Sequence, residues 1–497
     1  MLEAIGNALL NFSHLQLWVV MAIGVVIGLV FGIIPGIQGS TALALLLPFV
    51  FGMKPEIAMP LMLAILATQF QGGAISAILI NVPGTVPSAC VCLDGFPMAQ
   101  RGEAGRAIGA AEAASAAGGL LTVIFSLVLI PLAYPMVMAI GTREMVFVIL
   151  AGIVFIAGLV SGSIVKGLLS GALGMMLALV GSQALTGVER FTFGSLYLYE
   201  GIPLIPLALG LFAVPEMVYL AARGGTIAQK GAVIQGMKDV WQGVLDVGRH
   251  WGIVLRSSII AWVVGVIPGV GGETSTFFAY AQAKKSSKHP EKYGTGIIEG
   301  VIAPETATNG KEGGALLTTL ALGIPGDSPD AFVLAGMIIM GIVPGPEMLT
   351  RHLDLSLTLF WVIFISGVLA SAICLVIAPQ LARLSFVPGR VLAPLILVVV
   401  FVGTFSYMQR VEDIIVLVIT GAVALILRKY DYSLPALFLG FVLGGYFENY
   451  FFLALKTSGP LFFLTPINLT IILGIAAVFA YGPIKNAIKR RIGAKRA

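Results

Sequence analysis

The chain has 497 residues, of which 58% are hydrophobic and only 11% are charged, and its formal net charge is +5. Soluble domains carry about 25% charged residues, so the composition excludes a soluble enzyme with a single membrane anchor. Long apolar runs recur to the end of the chain, whereas a transmembrane β-barrel shows short alternating segments. We therefore predict an all-α polytopic membrane protein.

Apolar segments follow one another along the chain and are interrupted once by a long polar stretch, Arg223–His250. They lie at about 15–34, 40–52, 57–80, 105–134, 144–161, 166–184, 201–221, 252–267, 270–281, 312–324, 330–344, 353–379, 390–408, 413–428, 433–451 and 461–484. A membrane-spanning helix needs about 20 apolar residues. Segments 40–52, 270–281 and 312–324 are shorter, so we predict half-helices or re-entrant hairpins there.

Four sequence landmarks occur twice, in the same order and about 230 to 242 residues apart. The matched pairs are GIIPGIQG (32–39) with GVIPGVGG (265–272), QGGA (71–74) with EGGA (312–315), Pro83-Gly84 with Pro325-Gly326, and LALGLFAVPE (207–216) with LFLGFVLGGYFE (437–448). Chance explains one such match but not four in order. The chain is therefore predicted to contain two homologous halves.

Charge predicts how these halves are oriented, because Lys and Arg near span ends mark the cytoplasmic side. The tail 485–496 and the loop 284–292 are basic, whereas the first-half loop that matches the latter holds only Lys54. This asymmetry predicts a periplasmic N-terminus, a cytoplasmic C-terminus and inverted repeats, an arrangement typical of transporters. We assign a first transmembrane repeat (1–222), a cytoplasmic linker (223–251), a second transmembrane repeat (252–452), and an extra C-terminal helix with a basic tail (453–497).

Pro-Gly pairs begin at Pro35, Pro83, Pro268 and Pro325, inside or beside apolar segments. Irregular backbone persists in a membrane only where protein or a watery cavity satisfies it. A helix that starts after such a break presents free N–H groups and a positive dipole end, which attract anions. Proline kinks satisfied by neighbouring helices are the alternative, but the symmetric pairing of the four breaks favours a binding site.

Small neutral donors surround the breaks and suit a carboxylate that must be bound and then released. The predicted substrate site comprises Gly36, Ser40, Thr41, Asn81, Pro83, Gly84, Thr85, Gly269, Thr274, Ser275, Asn309, Pro325, Gly326 and Ser328. Gly84 and Gly326 are expected to adopt a backbone conformation that favours glycine and to let the backbone approach the anion.

Acidic residues near the breaks are candidates for ion coupling, because intramembrane acids are usually functional. Asp327 and Glu305 lie nearest the second-half breaks and are predicted to bind Na+ or a proton. For Asp327 a helix N-cap role is an equal alternative. For Asp94, near the first-half break, an N-cap role at the membrane surface is the preferred interpretation.

Other motifs point away from catalysis. No P-loop, His-Glu-x-x-His or Gly-x-Ser-x-Gly motif occurs, and the four His residues are scattered, so no enzyme, bound metal or nucleic-acid partner is predicted. Cys90, Cys92 and Cys374 are interpreted as small buried thiols. Gly24, Gly28 and Gly32 make two overlapping Gly-x-x-x-Gly steps, which predict close helix packing, with oligomerisation as the alternative.

Five blocks between Leu17 and Met348 combine Gly, Pro and polar residues in a specific pattern. They read GIIPGIQGSTALALLLPFVFGMKPE, QGGAISAILINVPGTVPSA…DGFPMAQRGEAGRA, GVIPGVGGETSTFFAYAQAKK, YGTGIIEGVIAPETATNGKEGGALLTTLALGIPGDSPDA and GIVPGPEM. This pattern resembles the large membrane subunit of tripartite tricarboxylate transporters, the TctA family. The family motifs fall on Pro35, Gly36, Asn81, Pro83, Gly84, Thr85, Pro268, Gly269, Glu305, Asn309, Pro325, Gly326 and Asp327, whereas Cys90-Val-Cys92 departs from the expected small polar residues.

The resemblance implies a translocation subunit of an importer in the bacterial inner membrane. Its implied partners are a small membrane subunit (TctB-type) and a periplasmic solute-binding protein (TctC-type). Its implied substrates are citrate or other di- and tricarboxylates, and its coupling ion is Na+ or H+, with no other cofactor. The alternatives are a polytopic membrane enzyme acting on a lipid-like substrate, and a channel.

Overall fold

The computed structural model describes residues 2–34, 39–138, 141–160, 163–183, 186–223, 237–268, 271–382 and 389–474. Its helices are α1 Leu2–Asn11, α2 Leu15–Ile33, α3 Gly39–Val50, α4 Pro55–Ile80, α5 Cys92–Gln100, α6 Ala104–Met138, α7 Thr142–Val160, α8 Ile164–Ala178, α9 Leu204–Ala208, α10 Val214–Arg223, α11 Met237–Arg249, α12 Trp251–Val266, α13 Gly271–Ser286, α14 Glu299–Leu322, α15 Ser328–Ile339, α16 Leu353–Ala382, α17 Gly389–Met408, α18 Val411–Lys429 and α19 Leu434–Ser458. Short 3-10 helices include Pro87–Ala89 and Pro290–Lys292. Within the described ranges, strands are limited to β1 Gly181–Ser182 and β2 Glu189–Arg190, which pair antiparallel. The all-α prediction is confirmed.

Six of the described helical segments are long and apolar enough to cross a membrane. They are Leu15–Ile33, Pro55–Ile80, Ala104–Leu132, Leu204–Ala222, Leu353–Ile377 and Leu434–Ser458. The apolar window of α4 is completely buried inside the protein, whereas fewer than half of the residues in the α2 window are buried. These lengths and compositions fit a polytopic membrane protein in which α4 is enclosed by other helices.

Two of the three short segments are short helices, and their predicted re-entrant course in the membrane stays a prediction. Helix α3 has 12 residues and α13 has 16. The prediction for 312–324 is wrong, because α14 runs without interruption for 24 residues. The first half of α14, 299–311, is polar, and its low hydropathy indicates a loop outside the membrane. Nearly all of it is nevertheless buried by surrounding protein, and it is helical.

The helix pairs α2–α4 and α12–α14 pack through the same kind of close backbone contact. A Cβ built on Gly32 would lie 1.9 Å from the Gln69 carbonyl oxygen, and one built on Gly265 would lie 2.2 Å from the Lys311 carbonyl oxygen. Real Cβ atoms do not approach so closely, so each crossing requires glycine. Gly28 also faces α4, which confirms the packing prediction for the Gly-x-x-x-Gly steps.

A second pair of helix–helix contacts shows which residues of the two sequence halves correspond to each other. A Cβ on Gly72 would lie 2.6 Å from the Leu29 carbonyl oxygen, and one on Gly314 would lie 2.5 Å from the Trp262 carbonyl oxygen. Equivalent residues are therefore 233 positions apart in the sequence between α2 and α12, and 242 positions apart between α4 and α14. The alignment of QGGA with EGGA is one residue out of register, because Gly72 corresponds to Gly314.

The described residues form two compact units, and each draws on both sequence halves. The first comprises 1–134 with 203–426, and the second comprises 135–202 with 427–497. In the second unit α19 packs against α7 and α8, and Arg190 makes two hydrogen bonds of 2.6 and 2.8 Å to Glu448. The division of the chain at 222 and 252 and the inverted orientation stay predictions.

Candidate functional site

Helices α4 and α14 end in the same way before their Pro-Gly pairs. Asn81 caps α4 with φ 56° and ψ 30°, and Gly323 caps α14 with φ 67° and ψ 27°. Both are left-handed conformations, and each is followed by an aliphatic residue, Pro and Gly. The positive φ predicted for Gly84 and Gly326 is therefore wrong, since it occurs three residues earlier. This left-handed residue ends the helix before the proline, whose ring would clash inside it.

Gly84 and Gly326 are instead held in close contact with protein atoms. A Cβ on Gly84 would lie 1.9 Å from the Gly32 carbonyl oxygen, which ties this break to the end of α2. A Cβ on Gly326 would lie 2.5 Å from the Ala315 Cβ and 2.9 Å from Asp330 Oδ2. The structure thus gives both glycines a packing role, and their contact with a solute stays a prediction.

Several predicted polar residues are buried close to the breaks. Thr85 Oγ1 and Ser88 Oγ lie 2.7 Å apart in the turn after Pro83. In the second half, Ser275 Oγ donates to the Gly272 carbonyl at 2.7 Å in the first turn of α13. Of the other predicted substrate-site residues, Ser40, Thr41, Asn309 and Pro325 are buried, Pro83, Thr274 and Ser328 are half-buried, and Asn81 is exposed. Gly36 and Gly269, with the neighbouring Pro35, lie outside the described residues.

A buried lysine that the sequence analysis did not single out lies between these breaks. The Nζ of Lys311 is 2.7 Å from Glu312 Oε1 and also donates to Asp327 Oδ2. It lies 5.2 Å from the centroid of the Phe70 ring, and the residue is only 1% exposed. A charge this deeply buried is stable only when it is paired.

The surroundings of Lys311 come from both sequence halves. A Cβ on Gly272, in the first turn of α13, would lie 3.1 Å from Lys311 Cε and 3.1 Å from Pro87 Cγ. Pro87 belongs to the 3-10 helix after the first-half break, and α3 of the first half packs against α15 of the second. The segments that follow the breaks at Pro83, Pro268 and Pro325 therefore converge near this lysine.

Asp327 has the helix N-cap role, one of its two predicted alternatives, whereas its part in ion coupling stays a prediction. It caps α15, because its Oδ1 accepts from the Asp330 N–H at 3.3 Å while Asp330 Oδ2 accepts from the Asp327 N–H at 3.2 Å. It also pairs with Lys311. We call Lys311, Glu312, Asp327 and Asp330 the Lys311 cluster. Fully ionised, it holds one positive and three negative charges, so it has an excess of acid.

Glu305 lies outside this cluster. It precedes Lys311 by six residues on α14, which is about 9 Å along the helix axis. It is fully buried, and neither of its carboxylate oxygens has a hydrogen-bond partner among the described residues. The structure therefore does not bring the two predicted ion-coupling acids together.

Comparison with known proteins identifies the family. A model described as the tripartite tricarboxylate transporter TctA family matches residues 18–439. The chain belongs to this family. TctA is a transporter family, named for three-component systems, so the chain is a membrane-embedded subunit of such a transporter.

Two relatives of this TctA-family chain occur in Agrobacterium vitis. One, an uncharacterised 52.8 kDa protein in the TAR-I ttuC′ 3′ region, is 32% identical over 458 residues, which cover 90% of each chain. The other, an uncharacterised protein in the TAR-II ttuC′ 3′ region, is 30% identical over 192 residues, covering 38% of this chain and 78% of the relative. No solved structure matches the chain.

The interpretation of Asp94 as a helix N-cap is wrong for this TctA-family chain. Asp94 lies inside α5 and is fully buried. Its Oδ1 accepts from three backbone N–H groups, of Gly294, Gly296 and Ile297, at 2.7 to 3.0 Å, and its Oδ2 accepts from Tyr280 Oη at 2.8 Å. This carboxylate therefore fixes the second-half loop before α14 against the first half.

The cysteine interpretation holds for two of the three thiols. Cys90 and Cys374 are buried, whereas Cys92 is half-buried, and all three are free.

Within the described ranges, no group of three or more His, Cys, Asp and Glu side chains could hold a metal ion. A cavity of about 110 Å³, lined by His14 and Glu56 among others, contains none of the predicted site residues.

Proposed function

We propose that this chain is the translocating subunit of a binding-protein-dependent importer that moves a di- or tricarboxylate, driven by a Na+ or H+ gradient. The observation that supports this proposal is the buried Lys311 at the convergence of three breaks. A lysine in a dry site binds a carboxylate through a charge-assisted hydrogen bond. Thr85 and Ser275 supply hydroxyl groups beside the same breaks.

The excess acid in the Lys311 cluster gives a physical reason for ion coupling. A carboxylate that takes the place of Asp327 or Glu312 on Lys311 leaves an unpaired buried anion, at a cost of about 3–5 kcal/mol. A proton or Na+ that neutralises the displaced acid removes this cost. Anion and cation would therefore bind together, which is the requirement for symport.

In this proposal the chain works with a small membrane subunit and a periplasmic solute-binding protein in the bacterial inner membrane. Its N-terminus is periplasmic and its C-terminus is cytoplasmic. A cysteine introduced at position 288, in a variant without Cys90, Cys92 and Cys374, should be labelled only from the cytoplasm, whereas one at position 54 should be labelled from the periplasm. Strong labelling of position 288 in intact cells would contradict the inverted arrangement.

Solute counterflow tests the proposed function. The complex with its two partner subunits is reconstituted into proteoliposomes loaded with unlabelled citrate, and entry of labelled citrate and other labelled carboxylates is followed. Transient accumulation of label inside is expected, because only a carrier exchanges labelled for unlabelled solute. A channel would equilibrate without accumulation, and a membrane enzyme would produce a new chemical species; either result would contradict the proposal.

A further inference from the structure

Four helices meet at a polar contact that is distinct from the Lys311 cluster. Gln71 of α4 uses its Nε2 to donate to Glu112 Oε2 of α6 at 3.1 Å, and to Ser371 Oγ and the Gly367 carbonyl of α16 at 2.6 and 2.9 Å. Ser371 Oγ in turn donates to the Glu112 carbonyl at 3.0 Å. These bonds hold α4, α6 and α16 together around one glutamate.

The fourth helix, α14, brings Glu305 and Asn309 to the same place. The two residues lie one turn apart and therefore share a helix face. Asn309 Nδ2 lies 3.6 Å from the position of a Cβ on Gly367, the glycine whose carbonyl accepts from Gln71. A Cβ on Gly119 of α6 would lie 3.9 Å from the Asn309 Cβ, so α14 also packs against the helix that carries Glu112. Glu305 and Glu112 therefore lie on neighbouring helices at the same contact.

Oxygen atoms without donors are concentrated here. Glu305 Oε1 and Oε2, Glu112 Oε1, Gln71 Oε1 and Asn309 Oδ1 are buried and have no hydrogen-bond partner among the described residues. All four residues are at least 97% buried. Unpaired buried acceptors are costly, and two neighbouring buried carboxylates repel each other as well.

An electropositive ligand resolves both problems. Carboxylate and amide oxygens are the ligands that hard cations prefer. Lys311, the lysine of α14, is already paired with Asp327 and Glu312.

We propose that Glu112, Glu305, Gln71 and Asn309 form a binding site for one sodium ion. Five otherwise unpaired oxygen atoms from α4, α6 and α14 are available to it. A single proton would satisfy at most two of them, the oxygen that carries it and one acceptor, so Na+ fits the set better. Binding itself does not depend on the proposed carboxylate transport, but in that function the site would hold a coupling Na+ that is separate from the cation that neutralises the Lys311 cluster.

The test is equilibrium binding of ²²Na+ to the purified full-length chain in detergent, in choline chloride buffer at constant ionic strength. Saturable binding is expected, and Glu305→Gln and Glu112→Gln should each weaken it at least tenfold. Asn309→Ala should weaken it less, because only a neutral ligand is lost. The control is Glu291→Gln, which alters an exposed carboxylate in the 290–292 helix and should bind like wild type.

Two results would overturn the proposal. One is the absence of saturable binding to a wild-type sample that is monodisperse and unfolds cooperatively. The other is unchanged binding by Glu305→Gln or Glu112→Gln, because the carboxylates would then not be ligands. The variant Lys311→Gln distinguishes failure of this site from failure of the proposed function, because it should lose carboxylate transport and still bind Na+.

Discussion

The ammonium group of Lys311 lies 2.7 Å from the carboxylate of its chain neighbour Glu312, and both residues are at most 1% exposed. Neighbouring residues on a helix point in different directions, so this contact depends on the long lysine side chain turning toward the acid. Asp327 completes the arrangement from the start of α15. A lysine placed in this way is fixed in position before any solute arrives.

Loss of the lysine charge should destabilise the protein. Lys311→Met leaves Glu312, Asp327 and Asp330 buried without a cation, and breaking a buried pair costs about 3–5 kcal/mol. The double variant Lys311→Met with Asp327→Asn should recover part of this loss, since one uncompensated acid is removed. Thermal unfolding in detergent measures both. Equal stability of Lys311→Met and wild type would show that the acids are already neutral.

The first-half break should not tolerate even one methyl group. Gly84→Ala places a Cβ 1.9 Å from the Gly32 carbonyl oxygen, so α2 and the turn must separate, at a cost of about 3 kcal/mol. Gly248→Ala is the matched control, because a Cβ there meets nothing within 4 Å. Membrane levels and melting temperatures of the two variants provide the comparison. Equal membrane levels and melting temperatures of Gly84→Ala and Gly248→Ala would contradict the close contact between this break and α2.

Asp94 should contribute more to the stability of the protein than Tyr280, whose hydroxyl group donates to it. Asp94→Asn removes the negative charge that accepts three backbone N–H bonds, whereas Tyr280→Phe removes one hydrogen bond only. Hydrogen bonds to charged groups contribute about 1.5–3 kcal/mol each, so the first variant should unfold at a clearly lower temperature. Its 287–297 loop should also be cleaved faster by protease. A larger effect of Tyr280→Phe would contradict this account.

A pH-dependent contact joins the start of α12 to the start of α14, outside the six candidate spans. His250 Nε2 lies 3.4 Å from Glu299 Oε1. The hydrogen bond to Glu299 raises the pKa of His250 above its ordinary 6.5, and the same bond lowers the pKa of Glu299 below its ordinary 4.5. The histidine contribution is complete below pH 6.5 and is lost as the pH rises through the raised value. The glutamate contribution is complete above pH 4.5 and is lost on acidification.

The pair should therefore stabilise the protein most between pH 4.5 and 6.5. Glu299→Gln should melt below wild type at pH 5.5, and the two should melt together at pH 8.5. The difference should be small, corresponding to about 1 kcal/mol or less, because both side chains are partly exposed. A constant difference across this range would show that the contact is not an ion pair.

Sequence reasoning succeeded where the signal is local. Apolar length predicts the helices, and the matched Pro-Gly pairs predict where α4 and α14 end. It failed where the signal depends on contacts between distant segments. Glu112 lies in an apolar segment with no local sign that it meets Gln71, 41 residues earlier, or Ser371, 259 residues later.

Lys311 shows the same limit. It stands in the polar run that hydropathy excludes from the membrane, and only the packing of α14 against α12 and α13 reveals that the run is buried. The one-residue error in the repeat register had a similar cause. Glycine contacts between the helices define which residues of the two halves correspond, whereas alignment by sequence identity matched QGGA with EGGA, one residue away.

Asp327 should influence the ion dependence of transport if it exchanges Lys311 for a proton or Na+. Asp327→Asn removes the exchangeable charge, so uptake should depend less steeply on the imposed ion gradient, while Asp354→Asn serves as a control at the start of α16. Initial uptake rates at several Na+ concentrations and pH values give this dependence. An unaltered ion dependence would exclude Asp327 from coupling.

Carboxylate uptake by Lys311→Gln tests the central claim most directly. Labelled citrate uptake is measured in cells that co-express both partner subunits, with membrane levels checked by blot and the exposed Lys54→Gln as control. Loss of a hydrogen bond to a charged ligand costs about 1.5–3 kcal/mol, so uptake by Lys311→Gln should fall roughly ten- to a hundred-fold while Lys54→Gln transports normally. Wild-type uptake by Lys311→Gln at an equal membrane level would show that this lysine does not bind the solute.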